Sequence, residues 1–464
     1  MSRALVSLCV VVALGACGDN AHRTAPLWSD GAQLRDGDGR IALLRGVNAR
    51  VAGVFDASFA DGRVPLETIP VLTGDDCRRM RALGLDLLRL PINWSAIEPT
   101  RGTYDDAYLD RVDAAVQCAG DAGLVVLIDV HQDAYSKEIG EDGAPLWAIQ
   151  PAPAMLLQGP LDDLGARRSS AQVSAAFATF FDQADPAGLQ ASFDAMLAHV
   201  AARWADDPAV LGFEIFNEPP NGEADVDAFT AVAAARVRAA APNKLVMFEP
   251  SAVRNIFDFV PKATAPFPVE GAVYAPHVYT LVFYTDQGPL QRLQPSDLEP
   301  SVEAARGEAD AWHTPLLFGE YGVGPTTANA DLWMGVEAEL HDRFLASDAF
   351  WVWKEQSQGS WGVYDHADPD TWTERPQVVA WISRVHAARI AGEVVANTYD
   401  RTTGALRLEI VRGSAGGNAH AIYIPERAAA SFALACDGAA VTAARDAATG
   451  LVDVACDGAL DVTP

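Results

Sequence analysis

The sequence predicts an α/β fold: a (β/α)8 TIM barrel followed by a small C-terminal antiparallel β-sandwich domain. Three observations carry this prediction. Eight short apolar runs alternate with helical stretches over about 350 residues, the size of a (β/α)8 barrel with insertions. Each run is apolar nearly throughout, as expected of strands covered on both faces. From about Ala396 the pattern changes to period-two alternation.

The runs are Ile41–Asn48 (IALLRGVN), Leu85–Asn93 (LDLLRLPIN), Leu124–His131 (LVVLIDVH) and Val210–Glu218 (VLGFEIFNE). They continue with Lys244–Pro250 (KLVMFEP), Ala272–Tyr279 (AVYAPHVY), Leu316–Tyr321 (LLFGEY) and Ala349–Lys354 (AFWVWK). Helical stretches such as Tyr108–Ala122 and Ala187–Trp204 separate them. A doubly wound open sheet is the alternative, and no glycine-rich phosphate loop follows the first run to support it. Beyond Ala396, TGALRLEIV, HAIYIP and GLVDVAC alternate between turn signals at Gly416-Gly417 and Asp457-Gly458. The expected division is a signal peptide over 1–16, a tether over 17–28, the barrel over 29–394 and the β domain over 395–464. The β domain carries no catalytic cluster, and a packing role is its default.

The N-terminus reads as an export signal. Arg3 precedes an apolar run from Ala4 to Leu14, too short to span a bilayer. The ending Leu14-Gly15-Ala16-Cys17 resembles the bacterial lipobox, which implies lipidation of Cys17 and a cell-envelope lipoprotein. An ordinary signal peptide of a secreted protein, with a coincidental cysteine, is the alternative. With Cys9 removed and Cys17 lipidated, Cys77, Cys118, Cys436 and Cys456 remain. An even number in an oxidising compartment indicates two disulfides, and chain proximity favours Cys77–Cys118 and Cys436–Cys456. The cysteine spacing matches no zinc motif, so no metal site is expected, nor any cofactor. A formal charge of −28 argues against nucleic-acid partners. A monomer is expected.

The chemistry lies at the ends of the runs. Arg89, His131, Glu218, His277, Glu320 and Trp353 all fall toward C-terminal strand ends, which converge on one face of a (β/α)8 barrel. Either glutamate alone is more often a strand-end carboxylate in a salt bridge; the shared address of the pair is what points to catalysis. Two carboxyls at a barrel mouth fit acid/base cleavage of a glycosidic bond, one protonated and one ionised. Glu218, after an apolar strand, suits the acid, and Glu320 suits the nucleophile if Arg89 and a tyrosine hydrogen-bond it. A retaining reaction requires carboxyls about 5–5.5 Å apart, and separation beyond roughly 6.5 Å points to inversion.

Three connections are long or apolar enough to matter. Asp133 to Pro186 carries Trp147, Ile149, Met155, Leu156, Leu157, Phe177, Phe180 and Phe181. Leu281–Tyr284 follow the sixth run, and Phe257, Phe259 and Phe267 follow the fifth. Some of these residues must fold a subsidiary core. Three apolar insertions around one rim also suggest walls for an apolar ligand.

LRLPINW, DVHQD, FNEP, PHVY, GEYG and the tryptophan of the eighth run resemble the motif set of retaining family 5 glycoside hydrolases, from about Arg45 to Gln356. The resemblance implies Glu218 as acid/base, Glu320 as nucleophile and Asn217 on the 2-hydroxyl of the sugar in the −1 subsite. It implies that Arg89 orients the nucleophile and that His131, His277 and Tyr279 line the subsite. Trp353 would form its floor, with Trp351, two residues away on the same strand face, able to exchange roles with it. Within the family the chain is most similar to endoglycoceramidases, through HQDAYS (131–136), GAPLWA (143–148), the EPTRGTYDDAYLDRVDAAV stretch and WVWKEQ. That likeness implies a glycolipid substrate cut between glycan and ceramide, with Asp133 on sugar hydroxyls and Lys354 and Gln356 reaching the glycan. The basic sugar-contacting residue expected after the first strand has no clean match; Arg50 lies nearby. Other family 5 activities, a steryl or lipid β-glucosidase or an endo-β-glucanase, remain as alternatives. So does a non-catalytic glycan-binding surface lipoprotein.

Overall fold

A computed structural model of the chain describes residues 27–259, 262, 269–284, 286–356, 361–368, 371–411 and 418–464. The signal peptide, most of the tether, Cys17 and Phe267 lie outside the described residues.

Eight parallel strands form the central sheet: β1 Arg45–Asn48, β2 Leu87–Ile92, β3 Val125–Val130, β4 Val210–Glu214, β5 Leu245–Phe248, β6 Ala272–Tyr274, β7 Leu317–Tyr321 and β8 Ser347–Phe350. Each pairs with the next from β1 to β6, and β7 pairs with β8, which pairs with β1. Bridges from Tyr274 to Leu316 and from Val278 to Tyr321 join β6 to β7 and close the barrel.

Strand alternation sorts the side chains. In β2, Leu88, Leu90 and Ile92 pack outward with the surrounding helices. Leu87 belongs instead to the interior cluster, with Leu127, Met247, Val273 and Leu317. Fully burying such a side chain contributes about 1.5–3 kcal/mol. Period two therefore also turns Arg89 inward, two residues above Leu87. The same rule turns Asp129 and His131 inward above Leu127, Glu249 above Met247 and His277 above Ala275. In β7 the pairing register shifts between Phe318 and Tyr321, an irregularity of the kind that re-aims a side chain at a barrel rim. Gly319 fits there because a Cβ would stand 3.2 Å from His277 Nε2.

The second domain is a sandwich with a shared apolar core that includes Ile41, Ile390, Leu408, Ile422, Val452 and Leu460. One sheet has Val394–Tyr399, Leu406–Ile410, Ala459–Thr463, Ala433–Cys436 and Ala439–Val441. The other has His386–Ile390, His420–Tyr423 and Leu451–Val454, joined by Trp28–Ser29, Leu34–Arg35 and Ile41–Ala42 from the N-terminus. This corrects the expected boundaries, since strands within 28–42 and 386–390 pair in the sandwich and not in the barrel. The IALLRGVN run is two strands: Ile41–Ala42 pairs with the sandwich, and Arg45–Asn48 enters the barrel. Continuous hydrophobicity hid the handover, because both halves are buried. Leu34 and Ala42 also join the barrel's interior cluster.

The disulfides pair as chain proximity favours, Cys77 with Cys118 and Cys436 with Cys456. The first ties the helix Gly74–Ala82 to the helix Asp106–Asp121. The long insertion divides by burial. Ile149, Phe177, Phe180 and Phe181 are core residues, and Phe180 packs against Trp94, Phe193, Phe216 and Phe229. Leu146, Met155 and Leu156 are exposed, as are Phe257, Phe259 and Phe283 on the other two connections. Among the described residues, no helix is long and apolar enough to cross a membrane.

Candidate active site

The site is organised around Arg89, which is completely buried. An isolated guanidinium in that position would be very costly, so its partners define the site. Nε and Nη2 donate to the two carboxylate oxygens of Glu214 at 2.8 and 2.9 Å, a bidentate pair. Nη1 donates to Glu320 Oε1 at 2.7 Å and to Asn48 Oδ1 at 2.9 Å. Nη2 also reaches Asn217 Oδ1 at 2.8 Å and lies 3.1 Å from Asp129 Oδ2. One side chain thus joins β1, β2, β3, β4 and β7.

Glu320 is held at both oxygens, with Tyr279 Oη donating to Oε2 at 2.8 Å. Its geometry leaves no freedom to rotate without breaking a charge-assisted bond. Glu218 is placed differently. It follows β4 with φ +42°, a left-handed conformation that costs a residue with a Cβ about 1–2 kcal/mol. The loop is held by Gln132, whose Nε2 donates to Asn217 O at 2.8 Å and to Glu218 O at 3.2 Å. Asn217 Nδ2 donates back to Gln132 O at 3.1 Å, and Glu218 N donates to Glu249 Oε1 at 3.1 Å. His277 Nδ1 lies 2.8 Å from Glu218 Oε1 and 3.6 Å from Glu320 Oε2. One carboxylate oxygen of Glu218 and one of Glu320 come within 4.8 Å of each other.

The protonation order of the free site differs from expectation. Burial pushes the Glu320 carboxyl above its ordinary range, against the pull of His277 and Arg89. Burial acts likewise on Glu218, but the His277 hydrogen bond and charge outweigh it and hold Glu218 below the ordinary range. His277 itself is raised, because Glu320 and Glu218 offset the cost of burying its charge. Burial and charge in the free site thus favour a proton on His277 over one on Glu218, one hydrogen bond away.

His131 is oriented by Asp129, with Nδ1 at 2.6 Å from Oδ2, and its Nε2 lies 3.6 Å from Asp133 Oδ2. Asp133 resists burial through Arg168 and His131, which hold its carboxyl at about 2. Arg168, from the long insertion, lies 3.4 Å from Asp133 and donates to Glu141 at 2.9 Å. Among the described residues, three groups could crowd a cation: His131, Asp133 and Asp142; Glu214, Glu249 and His277; and Glu218, His277 and Glu320. Arg168, Arg89 and His277 already compensate their charge.

Two expected contacts are reassigned. Trp353 is 1% exposed, and its indole N–H donates to Asp76 Oδ1 at 3.0 Å, so it cannot offer a face to a sugar. Trp351 can, since it is partly exposed, stacks on His131 at 5.9 Å and 11°, and lies under Arg50. Side chains on one strand face do not share one depth, which is why spacing alone misassigned them. Lys354 Nζ is 2.6 Å from Asp76 Oδ1 and is thereby drawn to that helix end. Arg50 is buried between Glu67 and Glu355. Asn48, Asp129, Glu214 and Glu249 were missed. Of these only Asp129, two before His131, carried a period-two signal beside a residue already singled out.

A family model described as cellulase (glycosyl hydrolase family 5) matches residues 68–357. The chain belongs to glycosyl hydrolase family 5. This family 5 hydrolase is 28% identical to endoglycoceramidase I of Rhodococcus hoagii, over 94% of this chain and 87% of that protein. The crystal structure of an endogalactoceramidase superposes with a TM-score of 0.77 at 26% identity, covering 95% of this chain and 99% of that one. Endo-glycoceramidase II from Rhodococcus sp., in a cellobiose-like imidazole complex, gives 0.75 at 25%, covering 93% and 99%. Glycoside hydrolysis is thus the class of chemistry to which the chain belongs.

Proposed function

We propose that the protein cleaves the β-glycosidic bond between a glycan and ceramide in glycosphingolipids, by double displacement with retention. The observation that carries retention is the close approach of Glu218 and Glu320, with Glu320 fixed by Arg89 and Tyr279. Glu320 attacks the anomeric carbon, and Arg89 and Tyr279 hold its lone pairs in line. Glu218 gives its proton to the departing oxygen, then takes one from water to release the glycan from Glu320. The proton reaches Glu218 from His277 Nδ1 across their 2.8 Å contact, so the acid is loaded without drawing on solvent. Asn217 faces the 2-hydroxyl, while His131, Asp133 and Trp351 bind the rest of the sugar.

The lipid part of the reading rests on the rim. Phe283 is 64% exposed while packing at 4.9 Å on Tyr279, itself bonded to the nucleophile. Phe257 is also exposed, two residues from Asn255, which donates to Glu218 Oε1 at 3.2 Å. An exposed Phe283 packed on the tyrosine that holds Glu320, with an exposed Phe257 two residues from a side chain that holds Glu218, suits a ceramide leaving group better than a second sugar. The endoglycoceramidase likeness supports the same substrate.

Incubation with defined glycosphingolipids and soluble β-glucans, read by mass spectrometry, tests the substrate: intact oligosaccharide plus ceramide is expected, and release from glucans alone refutes it. Glu320→Ala abolishes turnover, and azide restores part of it as a glycosyl azide; unchanged activity refutes the nucleophile assignment.

We further propose export and anchoring through Cys17, in keeping with two disulfides in the folded chain. Incorporation of a fatty-acid analogue by wild type and not by Cys17→Ser is the expected result.

A further inference from the structure

Glu249 is a buried carboxyl whose charged neighbours, Arg89 at 3.7 Å and His277 at 3.4 Å, each have closer carboxylate partners elsewhere. Its side chain is fully enclosed, and Oε2 has no conventional hydrogen-bond donor. Around it stand Glu214 from β4, Arg89 from β2, Glu218 and its backbone, and His277 beyond β6. Arg89 Nη2 is 3.7 Å from Oε1, but its hydrogen bonds go to Glu214, Asn48, Glu320 and Asn217. Burial beside ionised Glu214 raises Glu249 well above the carboxylate range, so it stays protonated. Glu214 is the carboxylate with which that neutral carboxyl shares a side-chain hydrogen bond.

That leaves Oε1 as a neutral carbonyl oxygen, and two groups of the catalytic acid converge on it. Glu218 N donates to it at 3.1 Å, and His277 Nε2, which makes no hydrogen bond, lies 3.4 Å away.

We infer that Glu249 is a positioning residue for the proton donor: its neutral carboxyl pins the backbone of Glu218 and fixes the ring of His277 so that Nδ1 faces Glu218. Pinning matters because Glu218 sits at φ +42°, a conformation that relaxes unless its neighbours over-determine it. Ring fixing matters because a hydrogen on Nε2 leaves Nδ1 to exchange the second proton with Glu218. Neutrality matters as well. An ionised Glu249 would stabilise imidazolium and keep that proton on His277; a neutral one lets it pass to Glu218.

This inference rests on the assignment of Glu218 as acid, and the test separates the two. First-turnover rates are measured on a pair of β-glycosides of one cleaved glycan, one with an alkyl leaving group and one with 2,4-dinitrophenolate, which departs without protonation. Glu218→Gln is expected to lose the alkyl substrate and keep the burst of dinitrophenolate. If Glu218→Gln slows both equally, the acid assignment fails and not merely its positioning. Given the expected control, Glu249→Ala lowers the alkyl rate about 10²-fold, the low end of general-acid contributions, and spares the burst. Glu249→Gln, whose amide also accepts through oxygen and donates to Glu214, restores the alkyl rate to within a few-fold. Equal loss on both substrates in Glu249→Ala, or loss in Glu249→Gln matching that in Glu249→Ala, overturns the inference. If the Ala variant fails to fold, loss of the alkyl rate in Glu249→Gln by more than a few-fold overturns the inference by itself.

Discussion

His277 and Glu218 share one short contact, Nδ1 to Oε1 at 2.8 Å, and that contact sets where the proton of the site resides. The folded-state affinity of His277 for its proton is raised by Glu320 and Glu218, so the site keeps its proton as pH rises past the ordinary imidazole range. The alkaline limb of kcat/KM on an unactivated substrate is therefore expected above pH ~6.5. In His277→Asn the proton has only carboxyls to occupy, and the limb moves down by roughly one unit or more. An unmoved limb would show that His277 does not store the proton.

Tyr279 donates one neutral hydroxyl to a carboxylate that must attack. Removing it in Tyr279→Phe frees one oxygen of Glu320 while Arg89 still holds the other. A hydrogen bond to a charged group contributes about 1.5–3 kcal/mol, so kcat/KM should fall about 10- to 100-fold. Thermal stability should change little. Full activity would place Tyr279 outside the reaction.

Trp351 and Trp353 give opposite expectations from neighbouring positions. Trp351→Ala removes a partly exposed ring stacked on His131, so KM rises and Tm holds. Trp353→Ala empties a fully enclosed site and strands Asp76, which also binds Lys354. Truncating a buried tryptophan costs about 3–5 kcal/mol, read as a lower Tm. If the two effects are exchanged, Trp353 is the platform after all.

These cases also mark what the sequence discloses. Long apolar runs ending in Arg89, His131, Glu218, His277 and Glu320 were readable because a parallel strand must be buried on both faces, and a reactive end interrupts that hydrophobicity. Asn48, Glu214 and Glu249 were not readable as site residues, because their role comes from Arg89 and His277, which lie more than 25 positions away in chain and meet them only in the closed barrel. The sandwich boundary was hidden for a related reason. Ile41–Ala42 and His386–Ile390 pair with each other across most of the chain, and local alternation carries no trace of a partner that distant. Relative depth was the third gap: period two gives a face, but only packing decided that Trp353 lies beneath Asp76 and Trp351 does not.

The junction between barrel and sandwich gives the last expectation. Asp342, at the end of the helix Ala330–Arg343, receives Arg45 from β1 at 2.6 Å and Arg384 at 2.6 Å, all three buried. Asn397 of the sandwich strand Val394–Tyr399 donates to the Asp342 carbonyl at 3.0 Å. The two guanidinium charges outweigh burial and hold the Asp342 carboxyl at about 2. A carboxyl depressed on folding contributes its stability above its unfolded pKa of about 3.9, and loses it as pH falls through the folded value. The linked contribution is about 2–3 kcal/mol at neutral pH, lost between about pH 4 and 2. Chemical denaturation across that window should show the decline in wild type and a flatter profile in Asp342→Asn. At pH 7 the variant should be less stable by about 3–5 kcal/mol, since two buried cations lose a shared partner. A variant as stable as wild type at pH 7 would mean that Asp348, 2.8 Å from Arg45, carries the junction without Asp342.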